Sequence, residues 1–159
     1  MKYIIYLLLL VSVASCNFAT IGGGYSNTVS GIYSNILGGY NNSILSPIST
    51  ISGGQSNTAS GNRSAIGGGV CNTASNIYTT ATGGRSNTAS ACYSGILGGK
   101  FNIASCAFSF IVGSDITSSR ECTTFVNNLN IMNIPTAAAG LPTKSVWFDS
   151  ATCTLKMVP

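Results

Sequence analysis

An asparagine returns every 15 residues through most of this chain, at Asn27, Asn42, Asn57, Asn72, Asn87 and Asn102. A glycine pair keeps the same beat, at Gly23-Gly24, Gly38-Gly39, Gly53-Gly54, Gly68-Gly69, Gly83-Gly84 and Gly98-Gly99. A short fixed period restricts the fold to stacked repeats, because each unit buries its apolar side only against the next. Fifteen residues leave no room for a helix plus a strand and their turns. The period therefore predicts an all-β chain, a parallel β-solenoid (β-roll) with about six 15-residue coils.

Within one period, Thr28-Val29-Ser30 and Asn35-Ile36-Leu37 suit strands, and Gly31 and Gly38-Gly39 suit turns where glycine permits positive φ. Stacking turns sequence columns into ladders about 4.8 Å apart. Period-two alternation points two columns inward. One is Val29, Ile44, Ala59, Ala74, Ala89 and Ala104; the other is Ile36, Ile51, Ile66, Ala81, Ile96 and Ile111. A hydroxyl column, Ser34, Ser49, Ser64, Thr79, Ser94 and Ser109, runs beside the second. The asparagine column is expected to satisfy turn backbone groups from coil to coil; alternatively it is a repeated turn former without a ladder. A core this thin needs lateral burial, which predicts a homotrimer. Tyr33, Tyr78, Tyr93 and Phe108, in a column with Phe18, Ile48 and Arg63, are candidate interface residues, as are Leu37, Leu97 and Val112. Either column reads equally as a strip facing solvent.

Charged residues make up only 6% of the chain, against about a quarter in ordinary soluble domains. The net charge of +4 is scattered without a basic run, so a nucleic-acid groove is not expected. Histidine is absent, and the three acids, Asp115, Glu121 and Asp149, lie outside the repeats. Most acid–base and metal chemistry is thereby removed; no cofactor or metal is expected, and an enzyme is the class that fits least. Six cysteines form no Cys-x-x-Cys pair. Cys92 and Cys106 would fall on neighbouring coils one residue out of register, which leaves a disulfide open geometrically. Small side chains filling serine or alanine slots is the preferred reading.

The expected layout is a signal or anchoring segment over 1–15, the repeat over 16–114, a cap or linker over 115–124 and a C-terminal strand and hairpin module over 125–159. The apolar run Ile4 to Val11 is too short to span a bilayer and suits a signal-peptide core. Val13-Ala14-Ser15-Cys16 fits a lipoprotein cleavage pattern, making Cys16 a lipidation candidate. The same residues also match the repeat: Ala14 to Ile21 aligns with Ala104 to Ile111 at an offset of six periods. Phe125 to Ile134 alternates like a half-buried strand. Ser145 to Phe148 and Thr154 to Val158 bracket a turn, with Trp147 as a core or interface aromatic.

The pattern Ser-x-Ile-x-Gly-Gly-x-x-Asn-Thr-Ala-Ser-Gly, over about Ser15 to Ser114, resembles the head repeats of trimeric autotransporter adhesins, the YadA-like left-handed β-roll. It is also similar to Gly-Gly-x-x-Asn-Thr-Ala-Ser-Gly arrays in surface and fibre proteins of bacteria, phages and large viruses. The adhesin repeat usually runs shorter, and no heptad stalk or membrane barrel accompanies the repeat here. Ile134 to Pro142, followed by Val146-Trp147 and Thr154 to Val158, resembles the closing module of phage and viral fibre proteins. These resemblances imply a homotrimeric, non-enzymatic rod, extracellular, on a cell surface or in a virion or tail fibre, displaying a surface for attachment to a host. A rival reading is ice binding through Thr28/Ser30, Thr58/Ser60, Thr73/Ser75 and Thr88/Ser90, interrupted by Ser43, Leu45 and Ile103. A hexapeptide-type acyltransferase fails on period and on the missing histidine, and calcium-binding nonapeptide repeats fail on the missing aspartates.

Overall fold

The computed structural model of the protein describes residues 12–128, 135, 143, 146–149 and 154–157. Each coil contributes two short strands. β1 (Val13–Ala14) and β2 (Thr20–Ile21) open the stack, and β3 (Thr28–Val29) and β4 (Asn35–Ile36) follow. Next come β5 (Ser43–Ile44) and β6 (Thr50–Ile51), then β7 (Thr58–Ala59) and β8 (Ala65–Ile66), then β9 (Thr73–Ala74) and β10 (Thr80–Ala81). β11 (Thr88–Ala89), β12 (Gly95–Ile96), β13 (Ile103–Ala104), β14 (Phe110–Val112) and β15 (Thr124–Val126) complete it. The odd strands from β1 to β13 form one parallel sheet; the even strands from β2 to β14, together with β15, form the other.

Register follows the period without slippage. Val29 pairs with Ile44, Ile36 with Ile51, and so on up the stack. Peptide N–H groups reach the carbonyl 14 residues on, as in Thr28 to Asn42 at 2.8 Å and Ser30 to Ile44 at 2.8 Å. Parallel coils satisfy their backbones only in this way, because a sheet's polar groups bond between strands and not within them. A third ladder, which the two-strand reading of the coil omits, joins Tyr25, Tyr40, Gln55, Val70, Arg85 and Lys100 through single-residue bridges. It forms where the residue after each glycine pair is extended.

Val29, Ile36, Ile44, Ile51, Ala59, Ile66, Ala74, Ala81, Ala89, Ile96, Ala104 and Ile111 are all buried. The core is thus one layer of alanine and isoleucine between the sheets. It divides into two clusters, one ending at Ala74 and Ala81 and the next beginning at Ala89 and Ile96. Three alanines meet at that boundary, where apolar contact is thinnest.

The coiling runs past both ends of the asparagine repeat, giving about eight coils instead of six. Residues 115–124, expected to be a cap or linker, belong to a further coil, and Phe125, expected to open the C-terminal module, pairs with Ile111 in the second sheet. Ile116 and Phe125 pack on the core, and the buried Ser118 hydroxyl accepts the N–H groups of Ser105 and Cys106. That coil is one residue shorter than the rest, since Ile111 pairs with Phe125, and it lacks the repeat asparagine, so its periodicity is invisible in sequence. At the other end, Val13 and Ala14, expected to lie in the anchoring segment, already pair with Thr28 and Val29.

Residues Asn128–Pro159 form a second compact unit. It contains the antiparallel hairpin of β16 (Val146–Asp149) and β17 (Thr154–Met157), with Val146 opposite Met157 and Asp149 opposite Thr154. The expected strand over 129–134 lies outside the described residues.

The two glycines of each pair differ. Gly84 has φ +87, and a Cβ there would stand 2.0 Å from the Gly99 carbonyl oxygen and 2.7 Å from Asn87 Nδ2; at Gly83 nothing lies within 4 Å. Gly84→Ala is expected to cost about 3 kcal/mol or more through left-handed strain and collision with backbone. Gly83→Ala is expected to stay within about 0.5 kcal/mol of the parent in urea unfolding followed by circular dichroism.

Candidate functional surface

Any internal site would have to use the buried polar groups. Asn57 is fully buried. Its Nδ2 donates to the Gly53 carbonyl at 3.0 Å and to the Gly69 carbonyl on the next coil at 2.9 Å. Its Oδ1 accepts the Asn72 N–H at 2.9 Å, while its own N–H donates to Asn42 Oδ1 at 3.0 Å. Asn27, Asn42, Asn72, Asn87 and Asn102 repeat the arrangement. Ser12 Oγ takes the asparagine's part at the first coil by accepting the Asn27 N–H, and the Ile116 N–H closes the series on Asn102 Oδ1. The buried hydroxyl column bonds to turn carbonyls, as in Ser49 Oγ to Gly61 O at 2.9 Å. Among the described residues no buried side-chain nitrogen or oxygen lacks a partner. These groups hold the coils together and leave nothing over for a ligand.

Function therefore has to be sought on the outside. The first sheet faces out with Thr28, Ser43, Thr58, Thr73, Thr88 and Ile103, and two residues on with Ser30, Leu45, Ser60, Ser75, Ser90 and Ser105, all exposed or half-buried. Alternation requires this, since Val29 and its column point inward between them. The face is a hydroxyl array broken by Leu45 and Ile103.

The turn preceding the second sheet carries the aromatic column. Phe18, Tyr33, Ile48, Arg63, Tyr78, Tyr93 and Phe108 each have φ between 53° and 59°. A left-handed residue in every coil throws these side chains outward one above another. Phe18 stacks on Tyr33 at 4.8 Å, and Tyr78, Tyr93 and Phe108 form a continuous stack at 4.9 Å spacing. Arg63 lies over the Tyr78 ring at 5.4 Å. The sequence-predicted interface residues Tyr33, Tyr78, Tyr93 and Phe108 are thus brought into one exposed strip, together with exposed Leu37, Leu97 and Val112 on the second sheet. Phe110 escapes the column reading. Its ring lies over Gly95, where a Cβ would stand 2.7 Å from Phe110 Cε1; a large ring opposite a glycine in an otherwise small column is the signal that points to it.

The remaining candidates stand apart. Cys16, Cys71, Cys92, Cys106 and Cys122 are free thiols. Cys92 Sγ turns to Asn76 Oδ1 and Cys106 Sγ to the Ser118 carbonyl, so the two are not joined. Cys16 sits at the turn of the first coil with its thiol donating to the Ser30 carbonyl at 2.8 Å, and is a repeat position. Trp147 lies in β16 opposite Lys156; its side chain is outside the described residues. No three His, Cys, Asp or Glu side chains cluster for a metal among the described residues.

The chain matches no known protein-family model and no curated protein sequence. Its fold defines it as a repetitive parallel β-solenoid, a class in which the coil is a scaffold and the surface columns differ from protein to protein.

Two substitutions test this reading. Asn57→Ala leaves the Asn72 N–H and the Gly53 carbonyl without partners, while the Gly69 carbonyl keeps the Gln55 N–H, and is expected to cost about 2 kcal/mol or more. Ile48 is a β-branched residue held at φ 59° between Tyr33 and Arg63. Ile48→Tyr extends the Phe18–Tyr33 stack by one ring, up to Arg63, and is expected to raise stability by about 1 kcal/mol, read as a higher urea midpoint with an unchanged slope.

Proposed function

We propose that this chain is a non-enzymatic structural and adhesive fibre segment. It acts as a homotrimer outside the cell or on a virion, presenting its surface to a host cell or other solid partner. The observation that carries this reading is the register of the outward columns. Each coil repeats the same contact about 4.8 Å from the last, so weak contacts add along the stack and avidity replaces a single pocket. The saturated interior supports a structural role and offers no group for catalysis. The adhesin-like and fibre-like repeat pattern agrees with it, and an amino-terminal export or anchoring segment belongs to the same reading.

The attachment test uses fluorescent full-length protein on cells and on insoluble polysaccharides. Saturable retention is expected, falling at least tenfold in Thr58→Lys/Thr73→Lys; no retention on any surface removes the adhesive role. Sedimentation equilibrium is expected to return three times the 16.2 kDa chain mass, and a stable folded monomer at tens of micromolar overturns the trimer.

A second reading, ice binding, is favoured by one observation: the Thr and Ser columns of the first sheet both face out. Thermal hysteresis and ice shaping at high protein concentration would establish it, and their absence dismisses it.

A further inference from the structure

The outward side of the second sheet changes character toward its last coils. Leu97, Val112 and Val126 stand in one column: the Leu97 N–H bonds to the Ile111 carbonyl, and Val112 pairs with Val126. Phe110 stands beside them with its ring across Gly95. Tyr93 and Phe108 stack at the adjoining turn. These six are large apolar side chains, yet each is between 38% and 58% exposed.

Together they present on the order of 500 Å² of apolar surface. That reaches the upper range of about 300–600 Å² for the largest patch on an ordinary monomer. With the rest of the turn column, Phe18 to Tyr78, the surface rises to about 900 Å², comparable with the roughly 800 Å² each partner buries in a standard stable interface. In the three columns that carry it, Arg63 is the one charged residue. Depletion of charge at an apolar centre is the composition of interfaces between identical subunits. It gives a nucleic acid, an anionic membrane or an acidic peptide nothing to recognise. The strip also repeats at 4.8–4.9 Å, the spacing of stacked strands, and another stack of parallel coils carries side chains at the same repeat. The first sheet, by contrast, faces outward mainly with hydroxyls, its exposed Leu45 and Ile103 standing far apart in the stack.

We propose that the second-sheet face, centred on Leu97, Phe110 and Val112, is covered by a second copy of this chain. The hydroxyl face of the first sheet is thereby turned outward. The inference deepens the fibre reading above and rests on it for what the outward face then does. Self-association sets which side is displayed: burying the apolar strips of neighbouring copies leaves each copy's Thr and Ser columns in contact with solvent or with a surface.

The test is sedimentation equilibrium of the full chain across a concentration series, with far-UV circular dichroism monitoring the fold. Leu97→Lys/Val112→Lys is expected to reduce the multimer to single chains, raising its dissociation constant at least 100-fold with an unchanged spectrum. Thr58→Lys/Thr73→Lys on the other sheet is expected to leave the multimer intact. If the lysine pair fails to fold, Leu97→Gln/Val112→Gln decides, with at least a tenfold increase expected. A multimer that survives the patch substitutions and dissociates with the first-sheet ones overturns this inference alone, leaving the fibre reading in place. A parent chain that stays monomeric overturns both the inference and the trimer. Patch variants that dissociate while the parent adheres to nothing support the inference and remove the adhesive role.

Discussion

A buried asparagine amide that touches three successive coils is the contact on which the other features depend. Asn57 takes its N–H bond from the coil before, holds its own turn through Gly53 and fastens the next coil through Gly69 and Asn72. Burying an amide costs several kcal/mol unless its hydrogen bonds are replaced, and here they are replaced only at one register. Slippage by a single residue would orphan every rung at once. The second glycine of each pair belongs to the same device, because its missing Cβ leaves room for both the amide and the neighbouring carbonyl. Asparagine and glycine therefore recur together.

Fixed register then dictates what the other columns can be. The space between the sheets admits two inward apolar side chains per coil, one from each sheet, so the apolar core is thin and breaks where Ala74, Ala81 and Ala89 meet. Polar ladders carry much of what a globular domain assigns to its core. The left-handed turn residue comes at the same place in each coil, so aromatic rings there have no choice but to stack. A side chain such as Ile48, poorly suited to that conformation, is held there by the coils on either side.

The two outward faces divide the chemistry. Thr and Ser predominate on the outside of the first sheet, while aromatic and aliphatic side chains gather on the last coils of the second and along its turn. The exposed apolar side chains therefore concentrate on one side of the coil, toward its last turns.

The period, the all-β class, the inward columns and the hairpin of the last residues are legible in the sequence, because each follows from side-chain spacing over a short local stretch. Val29, Ile36 and their columns are inward for the simple reason that strands alternate. What the tertiary structure alone decides depends on neighbouring coils. The third ladder through Tyr25 and Lys100 has no composition of its own. The coil closing at Val126 lacks the asparagine and is a residue short, so it is recognised only by Phe125 lying against Ile111. The covering of Gly95 by Phe110 joins residues 15 positions apart. Sequence spacing determines which way a side chain points; only the stacking of coils determines what it meets there.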